Sequence, residues 1–260
     1  MLPDTFTRRR ILAAVGSVGA LYLGADQAGA MLGLDPVDMN QRTVNGTYAA
    51  PTHANFENAP PHIALVWRET VNGDVQETTD LTTDGETDGV GLIVDEAVLP
   101  GDSGSVTMRA RLLEDPEQKT DVAQLYLLFR LSDTAENDIN EPERGAGDTS
   151  ETDGELDDFT QITVWKDDSP MGTGDGEWDG IPIVGDTEIA SGSLTEVATE
   201  VGDGYQLSID GSTCLDPANE PEVYVSFEWQ IPEDVGNIIQ GDSATFQVAF
   251  DPRPCPGEGV

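Results

Sequence analysis

The sequence predicts an all-β protein, an antiparallel β-sandwich or jelly roll with one or two short helices and long acidic loops. Two observations predict this class: apolar and polar residues alternate with period two in several segments, and Gly-, Asp- and Pro-rich stretches join those segments. Hydrophobic residues make up 37% of the chain and fall in patterned runs, which weighs against a disordered acidic chain.

The predicted strands lie, in chain order, at 62–68, 92–94, 106–112, 122–131, 159–165, 223–231 and 246–250. Residues 122–131 are apolar on both alternating faces, which is typical of a strand in the middle of a sheet. Two short helices are expected, at 193–201 with Ser193 as N-cap and at 234–240. Residues 133–158 and 167–180 are predicted to be long, solvated acidic loops.

The charge balance indicates a protein of high-salt surroundings. The 260 residues include 50 acidic and 12 basic side chains, for a formal net charge of −38. At 1 M salt the Debye length falls to about 3 Å, so salt removes most of the self-repulsion of such a surface. The same charge argues against nucleic acid or an anionic membrane as a partner and favours inorganic cations.

The first thirty residues have the pattern of an export signal. Arg8 and Arg9 precede a weakly apolar stretch that runs to Gly24, and a small-residue cleavage pattern ends at Ala30. The paired arginines indicate the twin-arginine route. The apolar run of about 13 residues is short of the roughly 20 that span a bilayer, so we expect cleavage after Ala30, with no membrane anchor left. The predicted location is extracellular, at the cell surface.

The predicted organisation is therefore a signal peptide at 1–30, an extended arm at 31–61 and a β-sandwich domain at 62–260. The arm is irregular and rich in proline. It carries Asn45 in an N-x-[ST] sequon, a candidate glycosylation site.

The cysteines are Cys214 and Cys255. An even number in an exported protein favours one disulfide, which would contribute about 3–4 kcal/mol by closing a loop of about 40 residues. Two buried free thiols are the alternative.

One acidic loop is a candidate calcium site. Asp175, Glu177 and Asp179 occupy alternate positions, Gly180 follows, and Asp186 falls at the twelfth position. Hard oxygen ligands at this spacing around a glycine turn suit Ca²⁺. The alternative is a solvated acidic loop, because position three is Glu and a proline interrupts the segment. Asp167 and Asp168 are additional candidate ligands.

No catalytic residue is assigned, and we expect no enzymatic activity. The sequence contains two histidines and lacks the H-E-x-x-H, G-x-S-x-G, P-loop and G-x-G-x-x-G patterns. Paired carboxylates keep a secreted hydrolase as a minor alternative in so acidic a chain.

Four segments resemble the haloarchaeal branch of the TasA/camelysin superfamily: VLPGDSGSVTMRARLLED, GELDDFTQITVWKDD, IASGSLTEVATEV and VSFEWQIPEDVGNIIQGDSATFQVAF, the last followed by Cys255. The resemblance covers roughly residues 90–255. It implies an exported jelly-roll protein that forms biofilm-matrix fibres or bundling pili, in which a strand of one subunit completes the sheet of the next. Where many members carry a Tyr-Phe-Ser-Asp motif after the signal, this chain has Met-Leu-Gly-Leu-Asp.

The sequence and the resemblance together predict a self-assembling structural subunit. An apolar start to a solvated arm suits insertion into an open sheet edge, and the candidate inserting side chains are Leu32, Leu34, Val37 and Met39. The alternatives are that these residues fold back on their own domain, or that the protein is a monomeric surface adhesion domain whose loops are stabilised by cations.

Overall fold

The computed structural model describes residues 10–15, 61–72, 74–76, 90–94, 99–114, 119–136, 139–152, 154–170, 173–181 and 185–256. Its strands are β1 Arg10–Val15, β2 His62–Val71, β3 Asp74–Gln76, β4 Val90–Val94, β5 Ser103–Leu113, β6 Ala123–Ala135, β7 Gln161–Lys166, β8 Thr187–Ser193, β9 Tyr205–Leu207, β10 Glu222–Gln230 and β11 Ser243–Pro254. The helices are α1 Glu141–Ala146, α2 Leu156–Phe159 and α3 Leu194–Val201, and a 3-10 turn spans Pro217–Asn219.

The strands form two sheets. The first has the order β3-β2-β5-β10-β7-β8, and every neighbouring pair in it is antiparallel. The second has the order β4-β1-β11-β6-β9 and is antiparallel except where β1 runs parallel to β11. This architecture confirms the predicted all-β sandwich with short helices.

The core lies between the inner faces of the two sheets. Along β5 and β10 buried and less buried residues largely alternate, as the period-two pattern predicts. Phe129 of β6 and Phe246 of β11 stack with ring centroids 4.9 Å apart, and Phe227 of β10 meets both edge-on at 5.7 and 5.8 Å. These rings join the two sheets, since Phe227 belongs to the first and the other two to the second.

The turn into β5 is built by the Pro100-Gly101-Asp102 segment. Gly101 has a φ of +94°, which an L side chain rarely adopts. The Asp102 carboxylate accepts hydrogen bonds from the Leu99 amide and, at 3.0 Å, from the Asn72 side chain. The Gly101 amide donates to the Ile231 carbonyl at 2.8 Å, so this turn is joined to the end of β10.

The helix predictions were right in one place and wrong in another. Helix α3 begins after Ser193, whose hydroxyl accepts from the Glu196 amide in a capping box, as predicted for 193–201. Residues 234–240 form turns instead of a helix. The reason is local: Gly236 has a left-handed φ of +75°, which no α-helix accommodates.

Most of residues 141–152 are exposed, as predicted for a solvated stretch at 133–158, but the prediction of a loop throughout was wrong. Strand β6 continues to Ala135, and helices α1 and α2 follow. Asn140 caps α1 through a capping box with Glu143, and Leu156 of α2 lies wholly in the core. Because acidic residues outnumber the few apolar positions of this stretch, its sequence does not show that Leu156 is buried.

Candidate functional site

Several predicted functional residues lie outside the described part of the chain: Arg8, Arg9, Ala30, Leu32, Leu34, Val37, Met39 and Asn45. Export, cleavage, glycosylation and strand insertion therefore stay predictions. Among the described residues, no helix is long and apolar enough to cross a membrane.

Strand β1 is formed by residues of the predicted signal segment. It pairs in parallel with β11 from Arg10↔Ser243 to Val15↔Val248, and antiparallel with β4 from Ile11↔Val94 to Val15↔Val90. In the full chain, this segment therefore joins β4 to the rest of the second sheet. Both neighbours use main-chain hydrogen bonds, which depend little on the identity of the inserted side chains.

The predicted disulfide is confirmed. Cys214 and Cys255 are bonded, with Cα atoms 5.9 Å apart and 41 positions apart in sequence. Cys255 directly follows β11, and the neighbouring Leu215 pairs with Ala123 of β6. The bond therefore connects the end of β11 to the segment beside β6.

The predicted calcium loop is organised by Asp167. This buried carboxylate accepts from the amides of Gly174 and Gly176 at 2.6 and 2.8 Å, and from the Ser226 hydroxyl at 2.8 Å. Gly174 and Gly176 have φ values of +72° and +79°. A Cβ at Gly174 would overlap the Tyr224 ring, so the loop approaches the sheet only with glycine there.

Of the four predicted ligands of this loop, Asp175 and Asp186 use their carboxylates to accept hydrogen bonds from loop amides. Asp186 accepts from the Ser169 and Asp179 amides at 2.9 and 2.8 Å. Asp175 accepts from the Glu177 amide at 2.9 Å, and Glu177 itself is exposed. The carboxylates of Asp175 and Asp186 are thus used in part as acceptors for loop amides, and calcium at this loop stays a prediction.

A second carboxylate cluster, which the sequence did not point to, lies at the start of β11. We call it the β11 cluster; it consists of Glu136, Glu143, Asp148, Glu155 and Asp242. The five residues come from four parts of the chain: Glu136 follows β6, Glu143 lies in α1 and Asp148 follows it, Glu155 precedes α2, and Asp242 precedes β11. The pairing of Ala135 with Ser243 brings the first and last of these together.

Carboxylate oxygens converge in the β11 cluster in two groups that share Glu136. In one group Glu136 joins Asp148 and Glu155, and in the other it joins Glu143 and Asp242. Within each group the ligand atoms lie within 4.8 Å of one another. Gly154 lies close against both the end of β6 and Asp242, since an added Cβ would lie 2.7 Å from the Ala135 carbonyl oxygen and 3.1 Å from Asp242 Cγ.

The environment of the β11 cluster disfavours negative charge. Burial, followed by the nearby Asp242 carboxylate, raises the pKa of Glu136 to about 8. Burial, followed by the charge of Asp148, raises the pKa of Glu155 to about 7. Burial also raises the pKa of Asp242, although the Glu155 amide opposes the shift by donating to it. Such a set of half-buried and buried, mutually repelling carboxylates favours an added positive charge.

Sequence reasoning missed the β11 cluster because its members are spread over more than a hundred positions of an acidic chain. One signal was present: Asp242 belongs to the QGDS run, in which a polar residue directly precedes a strongly apolar strand. The other four members of the cluster lie at 136–155 and had no comparable signal, since that stretch contains many other acidic residues.

Comparisons with known proteins leave the chain without an assigned family: no family model matches it, and no curated protein matches it.

Proposed function

We propose that this protein is an extracellular structural subunit of a surface filament or biofilm matrix, similar to the TasA/camelysin superfamily, that assembles by donor-strand completion of its second sheet. One observation carries the proposal. A strand drawn from the predicted signal segment lies between β4 and β11, and the sequence predicts that this segment is removed on export.

Removal of residues 1–30 would take β1 out of the sheet. The main-chain groups of residues 243–248 and 90–94 that face β1 would then lack their strand partner. Two strand edges of this kind form a template for an added extended segment, and leaving them unpaired has a free-energy cost. The mature chain would therefore need a strand from elsewhere to complete the sheet.

The apolar start of the mature arm is suited to this role. Leu32, Leu34, Val37 and Met39 follow the predicted cleavage site, and residues 10–15 are similarly apolar after Arg10. The arm would insert between β4 and β11 of another subunit; we call the two facing edges of these strands the β4–β11 edge. Insertion would repeat along a filament, because each subunit offers one arm and one such site.

The test uses the full chain, exported and recovered at high potassium chloride. Intact mass spectrometry checks cleavage after Ala30, and electron microscopy with size-exclusion chromatography checks assembly. We expect filaments or oligomers of the wild type and monomers of Leu32→Asp/Leu34→Asp, because charged side chains do not fit a sandwich core. Gln41→Asp/Thr43→Asp is the matched control, since it adds the same charge outside the apolar stretch and should assemble as the wild type does.

Unchanged filaments from Leu32→Asp/Leu34→Asp, and from a chain shortened so that it starts at residue 45 after processing, would contradict donor-strand assembly. A wild type that stays monodisperse at high protein concentration would instead favour a monomeric surface adhesion domain.

A further inference from the structure

The β11 cluster brings carboxylates together in an arrangement that is unfavourable for the protein alone. Asp242 is 0% exposed and Asp148 is 4% exposed, and both face other acidic groups. Like charges in a poorly solvated site repel one another strongly, and each buried carboxylate also loses hydration. A site of this kind persists when a cation or protons offset the charge.

Backbone donors hold these carboxylates in place but leave oxygens available. The Glu155 amide donates to Asp242 Oδ2 at 2.7 Å, and the Ser150 amide donates to Asp148 Oδ1 at 2.8 Å. Among the described residues, no hydrogen-bond partner reaches Asp242 Oδ1, Asp148 Oδ2 or Glu155 Oε2, and the Glu136 carboxyl interacts with the Asp242 carboxyl. Buried polar atoms rarely lack partners, so these oxygens point to a ligand.

We propose that the β11 cluster binds calcium through its two groups of carboxylates, Glu136 with Asp148 and Glu155, and Glu136 with Glu143 and Asp242. Calcium takes six to eight oxygen ligands at about 2.3–2.6 Å, so two oxygens on opposite sides of it stand about 4.8 Å apart. The ligand atoms of each group lie within 4.8 Å of one another. Magnesium binds at about 2.1 Å and prefers to keep several waters, which suits this carboxylate-rich site less well.

Bound calcium would join elements that are distant in sequence. It would link the end of β6, the loop between α1 and α2, and the start of β11. The site is distinct from the loop at 175–186, and its members belong to neither the predicted arm nor the β4–β11 edge. The inference therefore does not depend on the proposed function.

The test measures calcium binding to the full chain, stripped with chelator and held at a fixed high potassium chloride concentration. Isothermal titration gives affinity, and differential scanning calorimetry gives the melting temperature with and without calcium. Glu136→Gln and Asp242→Asn remove ligand charge at nearly constant size. Glu228→Gln, on the exposed side of β10, is the matched control.

We expect saturable calcium binding by the wild type and by Glu228→Gln. Changes near a metal ligand already weaken binding about ten- to hundredfold, so Glu136→Gln and Asp242→Asn should each weaken it by at least about tenfold. At the same calcium concentration, calcium should raise the melting temperature of the wild type more than that of Glu136→Gln. In chelator the order should reverse, with Glu136→Gln melting at or above the wild type because repulsion is relieved.

Three results would each overturn the proposal. The first is a melting temperature of the stripped wild type that calcium leaves unchanged. The second is that Glu136→Gln and Asp242→Asn bind calcium as tightly as the control. The third is tighter binding of magnesium than of calcium. The comparison in chelator uses Glu136→Gln because Glu136 is partly exposed, so this variant keeps the test valid if Asp242→Asn fails to fold.

Discussion

The Asp167 carboxylate connects the acidic loop at 173–176 to the sheet through three hydrogen bonds. Burial raises its pKa to about 6, and the neighbouring Asp186 charge acts in the same direction. The donors on Ser226, Gly176 and Gly174 oppose this shift by stabilising the charged form. The loop therefore depends on a group whose charge is partly unfavourable where it lies.

This position gives a prediction about pH. The pKa of Asp in an unfolded chain is about 3.9, whereas the pKa of Asp167 in the folded protein is about 6. The contribution of Asp167 to stability is therefore fully present below about pH 4 and is lost as the pH rises through about 6. Urea unfolding from pH 4 to 7 at constant potassium chloride should show the wild type losing stability relative to Asp167→Asn over this range.

A second variant checks the cause of that pH dependence. The Ser226 hydroxyl lowers the pKa of Asp167, so Ser226→Ala should move the loss of stability to higher pH. Parallel stability curves for the wild type and Asp167→Asn across the whole range would show that Asp167 does not titrate as the structure implies.

At the scale of elements, the short helices rely on their caps. An isolated helix as short as the eight-residue α3 is marginal in water, so its ends and its packing must stabilise it. Ser193 and Glu196 satisfy each other's backbone amides at 3.2 and 2.9 Å, and Leu194, Val197 and Val201 are buried. The same logic applies to α1, where Asn140 and Glu143 form the equivalent box.

Loss of the α3 cap should be measurable. We expect Ser193→Ala to lower the free energy of unfolding by about 1 kcal/mol, because the Glu196 amide loses its acceptor. Ser191→Ala, at an exposed position of β8, should change it by less than about 0.5 kcal/mol. Urea denaturation at fixed salt compares the two, and equal effects would mean that the cap does not stabilise the helix.

At the scale of the whole molecule, β11 is the strand on which most of the second sheet depends. It pairs with β6 along its length and with β1 over residues 243–248. Its start adjoins the β11 cluster through Asp242, and its end adjoins the disulfide through Cys255. The strand is thus connected at both ends to distant parts of the chain, which suits a strand that forms one side of the proposed assembly edge.

The disulfide should account for a large part of the stability of this sheet. Cys214→Ser/Cys255→Ser should lower the free energy of unfolding by about 3–4 kcal/mol, because the open chain gains conformational entropy when unfolded. Reduction of the wild type should produce a similar loss in urea denaturation, and reductant should leave the double variant unchanged. A loss below about 1 kcal/mol would show that the bond contributes little.

The sequence by itself determined the fold class, most strands, helix α3 and the disulfide. Strand alternation, a Ser N-cap and two cysteines in a chain with a predicted export signal are local or countable signals, and each has a direct physical cause. The segment 234–240 shows the limit of such signals: a helix was predicted there, but turns form because Gly236 adopts a left-handed backbone conformation. The segment 133–158 shows it too, because the apolar packing of Leu156 is hidden among acidic neighbours.

Only the tertiary structure decided which of the 50 acidic residues lie together. Glu136 and Asp242 are more than a hundred positions apart, and the pairing of β6 with β11 brings them into one cluster. The burial of Asp242 cannot be read from composition, because a surface carboxylate and a buried one are the same residue type in the sequence. Similarly, only the tertiary structure shows that the Arg10–Val15 strand lies between β4 and β11, because this pairing joins segments that are far apart in sequence.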